Sequence, residues 1–340
     1  MRGTLSSVEG ISLEELQLAA RNHGMPLEAL RYPVTPVGLH YLLIHYDVPD
    51  VDPATWILMV RGERELSLGL AGLKERPRKE LTVTMECAGN GRARLDPRPV
   101  SQPWLLEAVG TARWAGTPLR PLLEEAGVGE SAVEVLFTGL DRGIEGDIEQ
   151  RYQRSLTVEE ALRDDVILAY EMNGEVLPPD HGYPVRLVVP GWIGIASVKW
   201  VGRIEVSTAR LWSPWNTKWY PRSFSEQVVK SAFELPWEAT LPRVEQVLQG
   251  RAWSATGPVK RVDVSTDGGA TWQRARLHEP NRRAAWVRFS VPWTPPDSGP
   301  VELISRATGA DGLRQPDRVP FNADGYMFYA AARHPVTVIG

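Results

Sequence analysis

The chain has 340 residues, of which 43% are hydrophobic and 24% charged, and its 38 basic and 42 acidic residues give a net charge of −4. This composition excludes a disordered or fibrous chain, and the acidic balance argues against a protein built mainly to hold nucleic acid. The length of 340 residues fits two domains, since a domain has about 100–200 residues.

The single cysteine, Cys87, excludes an intrachain disulfide framework. The first residues form no signal-peptide core and contain no twin-arginine motif. No stretch reaches the about 18 consecutive apolar residues of a membrane span. We therefore expect a cytoplasmic protein without a membrane span.

Residues 1–215 predict a mixed α/β domain. A helix is expected over 12–22, where Ser12 and Glu15 form a capping box. Short elements follow, bounded by glycine and proline. The predicted strands cover residues 56–60, 81–85, 133–138 and 185–189, and the predicted helices cover residues 118–126 and 157–162.

The pattern changes twice in the second half of the chain. Residues 216–240 are rich in proline and tryptophan, which predicts an extended connector rather than a packed element. From residue 241 short alternating runs surround a hairpin at Asp267-Gly268-Gly269. Residues 241–340 therefore predict an all-β, immunoglobulin-like sandwich.

Cys87 lies where a strand ends in a turn that contains glycine, a position from which a side chain can face a ligand. Arg92 and Arg94 follow closely, and their positive charge would favour the thiolate, which ligates metals or attacks substrates. A buried, inert cysteine is the alternative interpretation. A thiol hydrolase would pair Cys87 with His45 or His181, but it would leave the nearby arginines without a use.

Arg186 lies in an apolar run, so it must find an anion or several acceptors. The glycine-rich segment 191–200 ends in Ser197-Val198-Lys199, which can add donors to an anion, although it does not match a P-loop. Taken alone, His45 is better explained as a core or edge histidine and His181 as a solvated surface residue, whereas Asp141 could equally be a turn residue.

Several motifs in this order make the chain resemble the sulfite oxidase family of molybdenum enzymes. The resemblance runs from about residue 33 to the C-terminus and is carried by Cys87-Ala88-Gly89-Asn90, Gly139-Leu140-Asp141, residues 168–174, residues 180–186 and Ser197-Val198-Lys199-Trp200. It implies a molybdopterin-binding α/β domain followed by the sandwich as a dimerisation domain, and hence a homodimer.

The resemblance also implies a molybdenum–molybdopterin cofactor. It assigns Cys87 as the metal ligand and Arg92 as a residue that helps bind a small oxyanion substrate. The residues that would hold the pterin and its phosphate are His45, Asp141, His181, Arg186, Ser197, Val198 and Lys199. Because the chain contains no Cys-x-x-Cys-His motif, we expect no haem in it and a separate electron acceptor, such as a cytochrome.

Three positions depart from the family pattern: Leu43, Trp212 and Asp324 stand where the family has arginine, tyrosine and arginine. The default function implied is oxidation of sulfite to sulfate by a haem-free member of bacterial type. Two alternatives stay open, namely S-oxide or N-oxide reduction with the same cofactor and a non-catalytic, ligand-binding dimer.

Overall fold

A computed structural model describes residues 4–5, 11–145, 147–210 and 225–340. The chain divides into two compact units, which we name by their principal functional groups. The cysteine unit comprises residues 1–41, 83–111 and 226–340, and the cation unit comprises residues 42–82 and 112–225.

Short strands dominate both units. The strands before residue 211 are β1 (Thr4–Leu5), β2 (Ile57–Arg61), β3 (Glu65–Gly69), β4 (Lys79–Glu86), β5 (Arg98–Pro99), β6 (Val109–Pro118), β7 (Glu134–Gly139), β8 (Gly143–Glu145), β9 (Ile148–Gln150), β10 (Gln153–Thr157), β11 (Ile167–Met172), β12 (Glu175–Val176), β13 (Arg186–Val188) and β14 (Val201–Ser207). The later strands are β15 (Lys230–Phe233), β16 (Ala239–Pro242), β17 (Gln246–Trp253), β18 (Arg261–Ser265), β19 (Gln273–Arg274), β20 (Arg276–Leu277), β21 (Val287–Trp293), β22 (Gly299–Thr308) and β23 (Arg333–Ile339).

The helices are few and short, as the frequent glycine and proline predict. They are α1 (Leu13–Ala19), α2 (Leu70–Lys74), α3 (Leu119–Ala126) and α4 (Val158–Ala161). The predicted capping box of Ser12 is present, but α1 ends three residues before the expected limit of 22. In the described part of the chain, none of the helices has the length and apolar character needed to cross a bilayer.

Two sheets form the frame of the cation unit, and the first of them is mixed. The first has the order β10–β7–β14–β2–β3, in which β14 and β2 run parallel. Its strand β7 is buried along its whole length, as a nearly continuous apolar strand requires. The second has the order β12–β11–β6–β4, with β13 paired to β11. Strands β4 and β6 each contribute residues to both units.

The sandwich of the cysteine unit confirms the predicted all-β fold. Its sheets have the orders β15–β17–β21–β20 and β16–β23–β22–β18–β19. Alternate residues of β21 point inward, and the Phe289 ring meets the Phe233 ring edge-on at 5.8 Å between centroids. Each such fully buried side chain stabilises the fold by about 1.5–3 kcal/mol. The fold class expected from the sequence is therefore confirmed.

One part of the predicted connector is a packed element. Lys230–Phe233 forms β15, which is buried throughout and pairs with β17. The expectation of an unpacked segment was wrong there, because Val229 and Phe233 supply apolar side chains to the sandwich core. Residues 216–224 lie outside the described residues. The domain boundaries at 215 and 240 stay predictions.

Candidate functional site

Cys87 is the first residue after β4, as the sequence predicts. Its backbone N–H donates to the Ala108 carbonyl at 2.9 Å, and its own carbonyl accepts from the Asn90 N–H at 3.0 Å. Gly91 then adopts a left-handed conformation, with φ of 97°, and starts the 3₁₀ turn Arg92–Arg94. The turn therefore returns the chain beside the cysteine and brings Arg92 close to it.

The Cys87 thiol is buried, with 6% of the residue exposed. Its Sγ accepts a hydrogen bond from the Gly89 N–H at 3.4 Å. Burial raises the pKa of the Cys87 thiol, and the Arg92 charge only partly opposes this effect. The expected stabilisation of the thiolate by arginine is thus outweighed by desolvation. A raised pKa is unfavourable for a thiol nucleophile, which argues against the hydrolase alternative.

Arg92 is a buried cation with a fixed orientation. Its Nε donates to the Asp324 carbonyl at 2.9 Å and its Nη1 to the Gln102 carbonyl at 3.0 Å. The guanidinium carbon lies 5.2 Å from the centre of the Tyr326 ring. A guanidinium has five N–H donors, so these two carbonyls leave capacity for an anion. Asp324, where the family pattern has arginine, supplies a backbone acceptor that orients Arg92.

In the cation unit, Arg186 begins β13 and binds the backbone of two predicted residues. Its Nη1 donates to the His181 carbonyl and its Nη2 to the Ser197 carbonyl, both at 3.0 Å. Its guanidinium carbon lies 4.7 Å from the centre of the Trp114 ring. The Ser197 hydroxyl accepts from the Val189 N–H at 3.2 Å. Arg186 therefore finds the several acceptors that its apolar strand requires.

Lys199 is held by backbone carbonyls. Its Nζ donates to the carbonyls of Leu43 and Asp180, each at 2.9 Å, and lies 4.5 Å from the centre of the Trp200 ring. Burial and the nearby Arg186 charge lower the pKa of Lys199 to about 7. An ammonium group has three protons, so one donor is available to a further acceptor.

Asp141 follows the last residues of β7 and is 2% exposed. Its Oδ1 is buried and has no hydrogen-bond partner among the described residues. Burial raises the pKa of Asp141 to about 6, although the Lys199 charge opposes this shift. An orphaned buried oxygen beside a cation is the feature that a bound polar group would satisfy.

Two further predicted residues, His45 and Val198, lie outside the helices and strands. The sequence places His45 on a β-like run with Leu43, but residues 43–50 contain no helix or strand. The His45 ring instead stacks on Tyr152 at 5.1 Å between centroids. Val198 contributes its carbonyl, which accepts from the Leu187 N–H at 2.8 Å. The remaining departure, Trp212, lies outside the described residues.

Two aromatic residues that the sequence did not single out support these groups, although they lie far from them along the chain. Trp114 packs on Arg186, and Tyr152 packs on His45 while its hydroxyl donates to the Ile195 carbonyl at 2.7 Å. Aromatic residues close to cations are a common arrangement, but nothing local in the sequence pairs these positions.

Comparison with known proteins gives a consistent result. Residues 45–215 match the family described as oxidoreductase molybdopterin binding domain, and residues 225–338 match the Mo-co oxidoreductase dimerisation domain. Sulfite oxidase of Gallus gallus is 40% identical over 320 residues, covering 84% of this chain and 69% of that protein. Mitochondrial sulfite oxidase of Rattus norvegicus is 36% identical over 341 residues, covering 90% of this chain and 62% of that protein.

A solved structure has the same fold over nearly the whole chain. The sulfane dehydrogenase SoxCD from Paracoccus pantotrophus superposes with a TM-score of 0.80 and 27% identity, covering 97% of this chain and 86% of that one. The rat relative is considerably longer, so this chain corresponds to less than two thirds of its length.

Proposed function

Because the chain belongs to the sulfite oxidase family of molybdopterin oxidoreductases, we propose that it uses a molybdenum–molybdopterin cofactor to oxidise sulfite to sulfate, with the electrons leaving to an external acceptor. The observation that carries this proposal is the buried Cys87 thiol at the end of β4, with the Arg92 guanidinium fixed beside it. A thiol there can ligate a metal, and the cation there can hold an oxyanion.

Each unit, taken by itself, contains residues of a kind that suits such a cofactor. In the cysteine unit, Cys87 offers a soft sulfur ligand. In the cation unit, the spare donor capacity of Lys199 suits a phosphate, and the orphaned Oδ1 of Asp141 suits an N–H donor of a heterocycle. When bound, the molybdenum supplies a two-electron redox centre.

In this proposal the chain's own residues bind and orient. Arg92 holds the substrate oxyanion through those of its N–H groups that do not donate to the carbonyls of Asp324 and Gln102. Arg186, anchored on His181 and Ser197, fixes the positive region that receives the cofactor phosphate. Each charge-assisted hydrogen bond to such an anion contributes roughly 1.5–3 kcal/mol.

A second substrate is favoured by one position. Leu43 stands where the family pattern has an arginine, and its backbone carbonyl is anchored by Lys199 Nζ. An apolar side chain there removes one cation from the family's anion pocket, which favours a less charged sulfur compound. The solved relative is named a sulfane dehydrogenase, so sulfane sulfur is this alternative substrate. Reduction of an S-oxide or N-oxide is the third substrate class to assay.

We extend the proposal to the assembly and the location of the protein. The match of residues 225–338 to a dimerisation domain supports a homodimer, and light scattering at micromolar concentration should give twice the mass of one chain. The separate electron acceptor and the cytoplasmic location stay predictions.

Steady-state assays of the molybdenum-loaded chain test the function. Sulfite, a sulfane compound and an S-oxide should be compared with the same artificial electron acceptor or donor. We expect turnover with sulfite, with no turnover after Cys87→Ser. Turnover with only the sulfane compound or only the S-oxide would show that sulfite is not the substrate, but the cofactor proposal would stand. The absence of redox turnover with all three compounds would contradict the proposed enzymatic activity.

A further inference from the structure

A buried network in the cysteine unit contains three residues that the proposed function does not use, namely Glu86, Lys230 and Trp253. Lys230 on β15 and Trp253 on β17 are direct partners in the antiparallel register, so their side chains lie on the same face of the sheet. Both donate to one carboxylate, Lys230 Nζ to Glu86 Oε1 and Trp253 Nε1 to Glu86 Oε2, the latter at 2.9 Å. The sandwich therefore holds the residue that precedes Cys87.

The same network reaches the other end of the cysteine turn. Asn90 is completely buried, and its Nδ2 donates to Glu86 Oε1 at 3.1 Å. Lys230 Nζ also donates to the Asn90 carbonyl at 3.0 Å, and the Ala108 N–H donates to Asn90 Oδ1 at 3.0 Å. One ammonium group thus holds both Glu86 and Asn90, which flank Cys87.

Stability alone is a weak reason for such a pair. The side chains of Lys230 and Glu86 are 3% and 2% exposed, and buried ion pairs are often replaceable by apolar residues without loss of stability. The pair instead fixes an orientation, because the Glu86 carboxylate and the Asn90 carbonyl must both face the Nζ of Lys230. The turn between Glu86 and Asn90 is therefore held in one orientation.

We infer that Lys230 is a positioning residue for Cys87. From the sandwich strand β15, it fixes the two ends of the turn and thereby the direction of the Cys87 Sγ. Only the purpose of this orientation, which is to present the Cys87 sulfur to a metal, rests on the proposed function. The placement itself is testable in the absence of any cofactor.

The first experiment uses the full chain prepared without cofactor and measures the rate at which iodoacetamide alkylates Cys87 under native conditions. Cys87 is the only cysteine, so the signal has one source. Lys230→Met should raise the rate by at least about tenfold, the factor that about 1.4 kcal/mol of lost local stability produces.

Arg251→Met is the matched control. Arg251 is a buried cation on β17 that donates to the carbonyls of Leu30 and Arg31 rather than to the cysteine turn. The alkylation rates are compared at denaturant concentrations chosen so that the variants have the same free energy of unfolding. Acceleration in Lys230→Met alone supports the inference, and equal acceleration in both variants overturns it.

A second variant covers the case in which Lys230→Met does not fold. Glu86→Gln keeps the size of the side chain and an acceptor for Asn90 but removes the charge that Lys230 pairs with. It should also accelerate alkylation, whereas a rate equal to that of the unaltered chain contradicts the inference.

The loaded enzyme gives an independent readout. At equal molybdenum content, the thiolate-to-metal absorption band should shift in the Lys230 variant and stay in place in the Arg251 variant. An unshifted band in both variants counts against the positioning role. If the unaltered chain binds no molybdenum, the proposed function fails, while the alkylation result still decides the positioning of Cys87.

Discussion

In the cysteine unit, the buried ammonium of Lys230 is matched by the Glu86 carboxylate, whereas in the cation unit the Lys199 ammonium is held by two backbone carbonyls. Both arrangements remove a lysine from water, but only Lys230 donates directly to a carboxylate. Burial and the Arg186 charge lower the pKa of Lys199 to about 7.

The two arrangements suit different tasks. A neutralised network can hold a turn in one geometry, which suits the fixed ligand atom of Cys87. In the cation unit, Arg186 and Lys199 donate to backbone carbonyls, which carry no full charge. Their positive charge can therefore be neutralised by a bound anion.

The largest effect is expected at the cysteine turn. Cys87→Ser replaces a soft ligand by a hard one in a turn whose backbone hydrogen bonds stay intact. Activity should fall by more than about 100-fold, since even residues that only support a ligand cost about 10–100-fold. The loss of the thiolate-to-metal absorption band is the measurement, and an unchanged band would contradict the assignment of Cys87.

The second-largest effect is expected from the titration of Asp141 in the cation unit. Asp141 has a pKa of about 6 in the folded chain, above its ordinary value of 3.8, so the folded state binds more protons between these values. The stability of the cofactor-free chain should therefore fall as pH rises from about 4 to 6, by on the order of 2 kcal/mol. Asp141→Asn should remove most of this fall.

Urea unfolding at pH 4.5 and pH 7.5 measures this effect. Asp50→Asn is the control, because Asp50 is an exposed carboxylate of the same unit. A fall with pH that is equally large in Asp141→Asn would show that other groups cause it.

Lys199→Met tests whether the positive charge of Lys199 helps to bind an anion. The variant removes a donor that would contribute roughly 1.5–3 kcal/mol to binding an anion, so cofactor retention should weaken by about 10–100-fold. Molybdenum and pterin content after dialysis is the measurement, with the exposed Lys74→Met as the control. Equal retention in the two variants would remove the phosphate role of Lys199.

The smallest effect concerns the orientation of Arg92. Gly325 has φ of 66°, and a Cβ at this position would lie 2.4 Å from the Cγ of Arg92. Gly325→Ala should raise KM for the oxyanion by about tenfold, the loss of roughly one charge-assisted contact, with little change in molybdenum content.

Gly312→Ala is the matched control for Gly325→Ala, since Gly312 has φ of 86° and nothing within 4 Å of its added Cβ. The control carries the same kind of backbone strain without a collision. If both variants change KM equally, strain rather than Arg92 explains the effect.

Local patterns in the sequence account for much of this fold. The β-branched run before Cys87 and the Gly-Asn-Gly turn after it predict the strand end that the structure has. The alternation over residues 287–291 predicts β21 and its inward face. The apolar surroundings of Arg186 predict several acceptors, which its neighbours in the chain supply.

Long-range contacts account for what the sequence did not reveal. Lys230 and Glu86 are 144 residues apart, and no local pattern pairs them. The raised pKa of Cys87 could not be predicted from the sequence, because the arginines are visible there while the burial is produced by tertiary packing. His45 illustrates the same limit, since its contact with Tyr152 depends on two distant segments.

The most direct test of the central claim is analysis of the metal and pterin in the chain purified from a host that makes molybdopterin. The account predicts molybdenum and pterin phosphate in stoichiometric amounts in the unaltered chain and little of either in Lys199→Met. A folded chain that carries neither molybdenum nor pterin would contradict it.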